Sequence, residues 1–579
     1  MVLLTIETVK IKDYLFSTNK LKVIRGASYL LDYINQVLVV EILKKHGITE
    51  DNENYLYVAA GNAKVLVKDK NEADKIIKEV EEAYKKIAPG AKIAASTVEN
   101  KENKKIWDLI KESTDETANV KNKGFKELNY HLPFVKKCDL CTTNPAEINE
   151  NNIKKKTIDF LDYLNKFQNE IDKKVLTKFS LELIDKIYRN LVPKNEEKTQ
   201  GICLECLSKI IFSEEIKEDN PKVGFYSLFK GKKIEKNTDE KEEENKLDFF
   251  KDREQGETIE AYKDGKSFVG FMYADGDGLG DFLSKLKDKF VENNNEADYK
   301  AFLKEFSVKL DAVTKDSLIE AMKELKHKFP IHKKENGEER RYYGEFLIVG
   351  GDDVCGVFPA DLVLELSEKY QAIFEREMYK FFEDNRDQNS KDINNITTSS
   401  GVLIAKAKTP MYLLFNQSLK LQKSAKKARY NKFKDKKEEK KHGYTDFQVI
   451  GSEGNVDIMD FRTTQKLNNL MQRPYEVADD TATETYSDLK KLIEKIQNFK
   501  KENFPRNKLR KFYELKKEIN KTEALYEFVN LYSKLTKEQK KLLDIKIEEN
   551  MNLESSLKNI FDILEMYSFV QEKGGKNDN

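Results

Sequence analysis

Alternating and helical patterns of apolar residues predict six elements in the first hundred residues, in the order strand, helix, strand, strand, helix, strand. The strands are predicted at Val2 to Thr8, Tyr55 to Ala59, Lys64 to Val67 and Ala91 to Thr97. The helices are predicted at Ala27 to about Lys45 and at Glu72 to Ile87. This order is typical of a ferredoxin-like domain, in which the two middle strands form a hairpin.

The same order of elements returns between residues 267 and 405. Strands are predicted at Ser267 to Ala274, Glu345 to Val349, Val354 to Phe358 and Thr397 to Ala405. Helices are predicted at Asp281 to Lys287, about Tyr299 to Lys328 and Asp361 to Phe382. We therefore expect an internal duplication. Superposing the hairpins places the turn Ala60-Gly61-Asn62-Ala63 opposite Gly350-Gly351-Asp352-Asp353, and the first turn lacks both acids.

An insertion separates the two copies, from about Leu132 to Gly256, with helical patterns at Ile158 to Phe167 and Lys178 to Leu191. Its last part, Gly231 to Gly256, is rich in charge and poor in apolar residues, which is typical of a linker. After Pro474, apolar stripes at helical spacing predict a small bundle. The stripes lie at Leu489 to Phe499, Leu509 to Ile519, Ala524 to Leu535 and Leu553 to Phe569.

The predicted fold class is therefore α+β. It combines two ferredoxin-like domains with a helical insertion and a C-terminal helical bundle. The expected domains cover residues 1–131, 132–256, 257–455 and 456–579.

Composition excludes several classes of protein. Charged residues make up 35% of the 579 residues, but the net charge is only +1, so any nucleic-acid surface must be local. The chain has no signal peptide and no apolar stretch near the ~20 residues of a membrane span, so we expect a cytoplasmic protein without a membrane partner. Four of the five cysteines form two C-x-x-C pairs, which suits a reducing compartment.

The acidic turn, residues 350–353, is the strongest candidate for chemistry. Asp352 and Asp353 repel one another, and Asp275 and Asp277 end an earlier strand that lies beside the hairpin in a ferredoxin-like sheet. We expect Asp275 and Asp352 to converge and to hold Mg²⁺ or Mn²⁺, because these cations prefer oxygen ligands. Two such ions could activate an attacking hydroxyl and stabilise a leaving pyrophosphate. The alternative is that Asp-Gly-Asp-Gly is an ordinary turn with only a structural role.

Backbone groups beside these acids are expected to approach a nucleotide phosphate closely, because glycine has no side chain and a helix begins there. The expected positions are Gly276, Gly278, Leu279, Gly280, Gly350 and Gly351.

The cysteine pairs are Cys138 with Cys141 and Cys203 with Cys206, with 61 residues between the pairs. Two C-x-x-C pairs make a closed, structural Zn²⁺ site. The alternatives are unmetallated pairs or a redox dithiol. Cys355 lies in the strand after the acidic turn and is expected to be a small core residue.

Basic residues offer two further candidates. Between Lys420 and Lys441 there are eleven Lys or Arg against three acids, and Lys420, Lys423 and Lys427 share a helical face that could reach a triphosphate. Such a run is also typical of a solvated surface. In the first copy, Arg25 and Ser28 are expected to open a helix whose free N–H groups could meet a phosphate, although an ordinary helix start explains them as well.

The five histidines include no His-Asp dipeptide and no cluster at metal-ligand spacing. We therefore do not expect a histidine-based phosphohydrolase domain.

Together these motifs resemble the large polymerase/cyclase subunit of type III CRISPR effector complexes, most closely that of the Cmr-type branch. The resemblance covers nearly the whole chain. It rests on the segment Tyr14 to Ser28, the paired C-x-x-C motifs, Asp275-Gly-Asp277, Gly350-Gly-Asp-Asp353, and the segment Ser400 to Pro410 that leads into the basic run.

The resemblance implies two palm domains, a zinc-bearing domain between them and a helical C-terminal domain that contacts neighbouring subunits. It implies that Asp275 and Asp352 hold metal, that Asp277 and Asp353 complete or support the site, and that the first palm binds the acceptor nucleotide across the palm interface. The implied partners are the other complex subunits, guide RNA and target RNA. When target RNA pairs with the guide, the second palm would join AMP units from ATP into cyclic oligoadenylate.

Many family members begin with a histidine-aspartate nuclease domain, whereas the first palm strand here starts at Val2. We therefore expect no DNA cleavage. Some members of this kind attach AMP to S-adenosylmethionine, so the acceptor stays open. A non-catalytic scaffold that grips RNA is the alternative from another class.

Overall fold

The structure is a computed structural model. It describes residues 1–59, 61–101, 104–123, 134–164, 189, 201–215, 256, 258–333, 337–384, 396–434, 441–451, 457–464, 470–478, 487–517, 520–543 and 559–572. Three predictions fall wholly or almost wholly outside these ranges: the turn residue Ala60, the helix from Lys178 to Leu191, and the charged segment from Gly231 to Gly256.

The first ferredoxin-like domain is built on a four-stranded sheet. Its strands are β1 (Val2–Val9), β2 (Tyr55–Ala59), β3 (Asn62–Val67) and β4 (Lys92–Glu99). The sheet order is β2-β3-β1-β4, and β1 pairs antiparallel with both β3 and β4. This order is the ferredoxin-like one that the sequence predicts.

Helices flank this sheet. The helix Lys70–Ile87 begins where the Asp69 side chain accepts a hydrogen bond from the Glu72 N–H at 3.0 Å, and its apolar stripe is buried. The helix predicted from Ala27 begins earlier, at Leu21. It consists of Leu21–Tyr33, the π-helical turn Ile34–Leu38 and Val39–Lys45. Two further helices, Ile11–Leu15 and Ile106–Asn122, are not predicted by the sequence.

The second ferredoxin-like domain is built on a six-stranded sheet. Its strands are β5 (Phe268–Asp277), β8 (Glu345–Gly350), β9 (Asp353–Pro359), β10 (Thr397–Lys406), β11 (Gly443–Ile450) and β12 (Tyr475–Val477). The order is β12-β11-β10-β5-β9-β8, in which β8, β9, β5 and β10 form the predicted unit. Strand β11, parallel to β10, and strand β12 extend the sheet beyond that prediction. A separate short hairpin joins β6 (Ile331–Lys333) to β7 (Glu339–Arg341).

Two helices cover opposite faces of this sheet. The helix Val363–Asp384 places the Ser367 hydroxyl 2.6 Å from that of Ser400, whereas the basic helix, Met411–Phe433, packs against Gly401. Adjacent strand residues point to opposite faces, so these two contacts lie on different sides of β10. The other helices of the second copy are Leu279–Glu292 and Glu296–Glu324.

The insertion and the C-terminal region are helical where the structure describes them. The helices of the insertion are Ile153–Leu164 and Leu204–Glu215. The C-terminal helices are Ile458–Thr464, Asp488–Lys501, Arg506–Lys517, Lys521–Ser533, Lys537–Leu542 and Ile560–Met566. The last five pack on one another in the expected bundle. Among the described helices, none is both long and apolar enough to cross a bilayer.

The chain forms two compact units. The first comprises residues 1–251, 283–315 and 346–351, and the second comprises residues 252–282, 316–345 and 352–579. The four domain boundaries expected from the sequence stay a prediction.

The contact at Gly401 gives a stability test. Gly401→Ala is expected to lower the free energy of unfolding by about 1–3 kcal/mol, because overpacking shifts backbone. The added Cβ would lie 2.1 Å from the Ser418 carbonyl oxygen and 2.4 Å from the Gln422 nitrogen. Chemical denaturation measures the loss. Gly265→Ala is the control, since nothing lies within 4 Å of its Cβ position, and equal stability of the two variants would contradict the packing argument.

Candidate functional site

The acidic turn meets the end of β5 at one edge of the six-stranded sheet. A Cβ on Gly276 would lie 2.7 Å from Asp352 Oδ2, so only glycine lets this carboxylate come so close. Burial, together with the negative charges of Asp275 and Asp353, raises the pKa of Asp352 to about 6. The structure thus brings together the carboxylates whose convergence the sequence order predicts. Their role as metal ligands stays a prediction.

A lysine ammonium already lies among the oxygens of this site. Lys426 Nζ is 2.5 Å from Asp275 Oδ2 and 2.6 Å from the Gly276 carbonyl oxygen. Carboxylate and carbonyl oxygens are the ligands that Mg²⁺ and Mn²⁺ prefer, and here they already hold a positive charge. The residues therefore fit a divalent cation, with Asp275, Asp352 and the Gly276 carbonyl as its candidate ligands.

Asp277 has different surroundings. Its side chain is 1% exposed, and its Oδ2 accepts hydrogen bonds from Ser399 at 2.7 Å and from Thr397 at 2.9 Å. Burial raises the pKa of Asp277, and the Arg429 guanidinium at 3.4 Å opposes this rise. Because protein donors already surround this carboxylate, it is suited to support the edge rather than to bind a cation directly. The strand predicted from Ser267 to Ala274 is longer at this end, since β5 extends to Asp277 itself.

Asp353 is held by a buried tyrosine. The Tyr273 hydroxyl donates to Asp353 Oδ1 at 2.7 Å. Burial raises the pKa of Tyr273, and the charges of Asp353 and Asp275 add to this effect. The hydroxyl therefore stays protonated and remains a donor, which orients the second acid of the turn.

The backbone after β5 has few close neighbours at its glycines. Gly278 has a φ of +69°, which favours glycine, and nothing lies within 4 Å of the Cβ position of Gly280. The helix Leu279–Glu292 begins here, and its first N–H groups have no acceptor within the helix. In the acidic turn, Gly351 has a φ of +61°. Phosphate binding at these glycines and at Leu279 stays a prediction.

The predicted lysines of the basic helix do not face the acids. Lys420 forms an ion pair with Asp457, while Lys423 and Lys427 lie exposed to solvent. Triphosphate binding by these three lysines stays a prediction.

The residues that do face the acids are Gln422, Lys426 and Arg429. Gln422 donates to Asp275 Oδ2 at 3.2 Å, so the three residues form a helical face at spacings of four and three. Sequence reasoning missed them, although they directly follow or flank the buried stripe that contains Leu421 and Ala425. Placing the helix by that stripe would have selected this face.

The first copy also differs from expectation at Arg25 and Ser28. Both lie inside the helix Leu21–Tyr33, so the predicted helix start is wrong and their N–H groups are not terminal. Arg25 is buried, and a Cβ on Gly26 would lie 1.7 Å from the Lys209 carbonyl oxygen. This segment therefore packs against the helix Leu204–Glu215 and offers no phosphate site of the expected kind.

The turn of the first hairpin has a backbone conformation similar to that of the second at its glycine. Gly61 has a φ of +78°, close to that of Gly351, and Asn62 is paired with Glu7 across the sheet. Asn62 and Ala63 stand where the second hairpin carries Asp352 and Asp353. The described part of this hairpin therefore has the turn geometry without the acids.

The four cysteines gather into one cluster. The Sγ atoms of Cys138, Cys141, Cys203 and Cys206 all lie within 4.8 Å of one another, and all four residues are buried and free of disulfides. The Cys141 and Cys203 sulfurs are 3.8 Å apart. Tetrahedral zinc with Zn–S bonds of about 2.3 Å places sulfurs about 3.8 Å apart. The cluster therefore fits a structural zinc ion.

The four sulfurs share protons unequally. Hydrogen bonds from Cys138, and then from Cys203 and Cys206, lower the pKa of Cys141, whereas hydrogen bonds with Cys138 and Cys141 raise the pKa of Cys203 and of Cys206. The Leu140 N–H donates to Cys138 Sγ at 3.4 Å, and the Cys206 N–H donates to Cys203 Sγ at 3.4 Å. These donors stabilise sulfur anions, which are the form that binds a metal.

Comparisons with known proteins identify one part of the chain. Residues 268–436 match the family model described as Cas10/Cmr2, second palm domain. A comparison with curated proteins found no significant match.

Several solved structures are similar to the chain over 98% of its length. A Csm1–Csm4 cassette in complex with cA4 is 15% identical, with 69% of that chain covered and a TM-score of 0.47. An apo Csm1–Csm4 cassette is 15% identical, with 70% covered and a TM-score of 0.45. A Csm1–Csm4 cassette in complex with one ATP is 14% identical, with 70% covered and a TM-score of 0.46.

The cysteine cluster can be tested by metal content. Cys203→Ser is expected to lose the zinc and to lower the melting temperature, because three thiolates no longer close the tetrahedron. Elemental analysis and calorimetry measure both effects. Cys355→Ala is the matched control, since Cys355 is a buried cysteine of β9 without a disulfide and outside the cluster, and its loss should leave the zinc content unchanged. Full zinc content in the Ser variant would contradict the assignment.

The pKa of Asp352 predicts the pH dependence of cation binding. With a pKa of about 6, its carboxylate is mostly protonated at pH 5 and mostly ionised at pH 7, and a proton competes with a cation. We expect Mn²⁺ to bind about tenfold more weakly at pH 5 than at pH 7. Electron paramagnetic resonance of free Mn²⁺ measures this. Asp352→Asn should bind weakly with a flatter profile, and an unchanged profile would refute the role of Asp352.

Proposed function

We propose that this chain, a member of the Cas10/Cmr2 family by its second palm domain, is a nucleotidyltransferase that joins AMP units from ATP into a cyclic oligoadenylate messenger. One observation carries the proposal. Asp275, Asp352 and Asp353 converge beside Gly276, and the first of them already holds the Lys426 ammonium. A site that concentrates negative charge around a cation is suited to a substrate that arrives as a metal–triphosphate complex.

The reaction would be attack of a ribose hydroxyl on the α-phosphate of ATP, with pyrophosphate as the leaving group. Two Mg²⁺ or Mn²⁺ ions, when bound, would activate the hydroxyl and neutralise the developing charge. Asp275 and Asp352 would hold them, because their oxygens are the candidate ligands of the site. Asp353, oriented by Tyr273, would complete the site, and Asp277 would support it from inside β5.

Positive side chains would bind the phosphates. Lys426 is partly exposed and bonded to Asp275, so it can turn towards a phosphate when a cation takes over that carboxylate. The open N–H groups at Gly278, Leu279 and Gly280 would meet phosphate oxygens at the start of the helix. Arg429 is held by Asp277 and Thr397 and would keep the edge in place.

The acceptor and the partners belong to the proposal as well. The first palm, with Asn62 and Ala63 in place of acids, would bind the acceptor nucleotide. An alternative acceptor is S-adenosylmethionine, which would give an AMP conjugate. We further propose that the chain works in the cytoplasm with the other complex subunits and with guide and target RNA.

The activity is tested in the assembled complex with ATP, Mn²⁺ and matching target RNA. Removing both acids by Asp352→Ala with Asp353→Ala is expected to lower the rate by at least about 10³-fold, because charge stabilisation is lost in the transition state. Asp288→Asn, which removes an exposed acid on the helix Leu279–Glu292, is the control. Chromatography of radiolabelled product measures the rate.

Mass spectrometry of the product separates the acceptors. Reactions with and without S-adenosylmethionine are expected to yield the same cyclic oligoadenylate. A conjugate that forms only with S-adenosylmethionine would replace the messenger proposal with its alternative. No ATP-derived product, or the same yield from the double variant, would leave the non-catalytic scaffold as the function.

A further inference from the structure

One helix holds both backbone groups of Gly351 in the acidic turn. This clamp helix spans Glu296–Glu324. The Thr314 hydroxyl donates to the Gly351 carbonyl oxygen at 2.6 Å, and Asp311 Oδ1 accepts a hydrogen bond from the Gly351 N–H at 3.0 Å. The residue immediately before Asp352 is therefore fixed on both sides by side chains from far away in the sequence.

The two contacts differ in burial. Thr314 is 0% exposed, whereas the Asp311 side chain is 31% exposed. Lys315 donates to Asp311 Oδ2 at 2.5 Å, and its side chain is only 12% exposed. The ion pair orients the Asp311 carboxylate so that its other oxygen faces the turn. The buried hydrogen bond from Thr314 is costly to break, because the partner left behind stays unsatisfied.

The conformation of Gly351 decides where Asp352 points. Gly351 has a φ of +61°, and glycine can leave this region at little cost, so local sequence alone does not hold the turn. Asp352 follows directly and its carboxylate fits closely against Gly276. A rotation of the Gly351 backbone would therefore move that carboxylate away from its neighbours.

The clamp helix is itself anchored at its N-terminal part. Tyr299 and Leu303 belong to an apolar cluster with Leu3 and Trp107 of the first domain, and the Tyr299 and Trp107 rings are 6.1 Å apart. Fifteen residues separate Tyr299 from Thr314, or about 22 Å along a helix. The clamp thus rests on a long, supported element, and such elements hold functional groups more accurately than a free turn does.

We propose that Thr314 and Asp311 are positioning residues for the acidic turn, which fix the Gly351 backbone so that Asp352 is preorganised to bind a divalent cation. The inference rests on the proposed function only in taking Asp352 as a cation ligand. Neither residue touches the reacting groups in this scheme. Both act through Gly351.

The test measures Mn²⁺ binding to the full chain by electron paramagnetic resonance. Thr314→Val removes the hydroxyl at nearly constant volume, and it is expected to weaken Mn²⁺ binding by about tenfold, as loss of a residue that orients a metal ligand does. Thr314→Ser keeps the hydroxyl and is expected to restore binding to within about twofold.

Ser317→Ala is the matched control. It removes another buried hydroxyl from the same helix, one without a hydrogen-bond partner among the described residues. The control is expected to leave Mn²⁺ binding unchanged. Equal binding by Thr314→Val and Ser317→Ala would overturn the proposal, and so would weak binding in Thr314→Ser.

Variants at Asp311 test the proposal independently. Asp311→Ala is expected to weaken Mn²⁺ binding about as much as Thr314→Val, whereas Lys315→Met, which removes only the orienting ion pair, is expected to have a smaller effect. Unchanged binding in Asp311→Ala would contradict its part in the clamp.

Mn²⁺ binding by two variants distinguishes failure of the proposed function from failure of the clamp inference. If Asp352→Ala with Asp353→Ala binds Mn²⁺ as the wild type does, the acidic turn is not a cation site and the proposed function falls. If that double variant loses binding while Thr314→Val keeps it, only the clamp inference falls.

Discussion

Electrostatic repulsion among three carboxylates is the constraint on which the second domain depends. Asp275, Asp352 and Asp353 are brought to one sheet edge, and burial with mutual repulsion raises the pKa of Asp352 to about 6. Such an arrangement favours either protonation of Asp352 or a nearby positive charge that compensates the carboxylates. Lys426 supplies that charge here, through the carboxylate of Asp275 and the carbonyl of Gly276.

The surrounding structure keeps these acids from moving apart. Gly276 allows Asp352 to approach because it has no side chain, and Tyr273 holds Asp353 by a hydrogen bond. From inside β5, Asp277 and Arg429 form a buried ion pair that ties the strand to the basic helix. The same edge thus carries two kinds of acid. The Asp275 side chain is 29% exposed, although Lys426 and Gln422 donate to it, whereas the Asp277 side chain is 1% exposed and enclosed by protein donors.

The two ferredoxin-like domains share a hairpin of similar backbone geometry but differ in the charge of its turn. Both hairpins turn through a glycine with positive φ, Gly61 and Gly351, but only the second continues into acids. The first copy instead packs closely against the cysteine-bearing insertion, where Gly26 allows the helix Leu204–Glu215 to approach. Of the two hairpins, as far as the structure describes them, the second therefore carries the paired acids.

The sequence by itself determined the strand order of the two ferredoxin-like units, the acidic turn and the pairing of the cysteines, because these follow from local periodicity and short motifs. Tertiary structure decided which basic face meets the acids, since Lys423 and Lys426 lie on one helix and only packing sets its rotation. It also placed Arg25 inside a helix and Asp277 inside a strand. The hydrogen bond from Thr314 to Gly351 joins residues 37 positions apart, and no local pattern encodes such a contact.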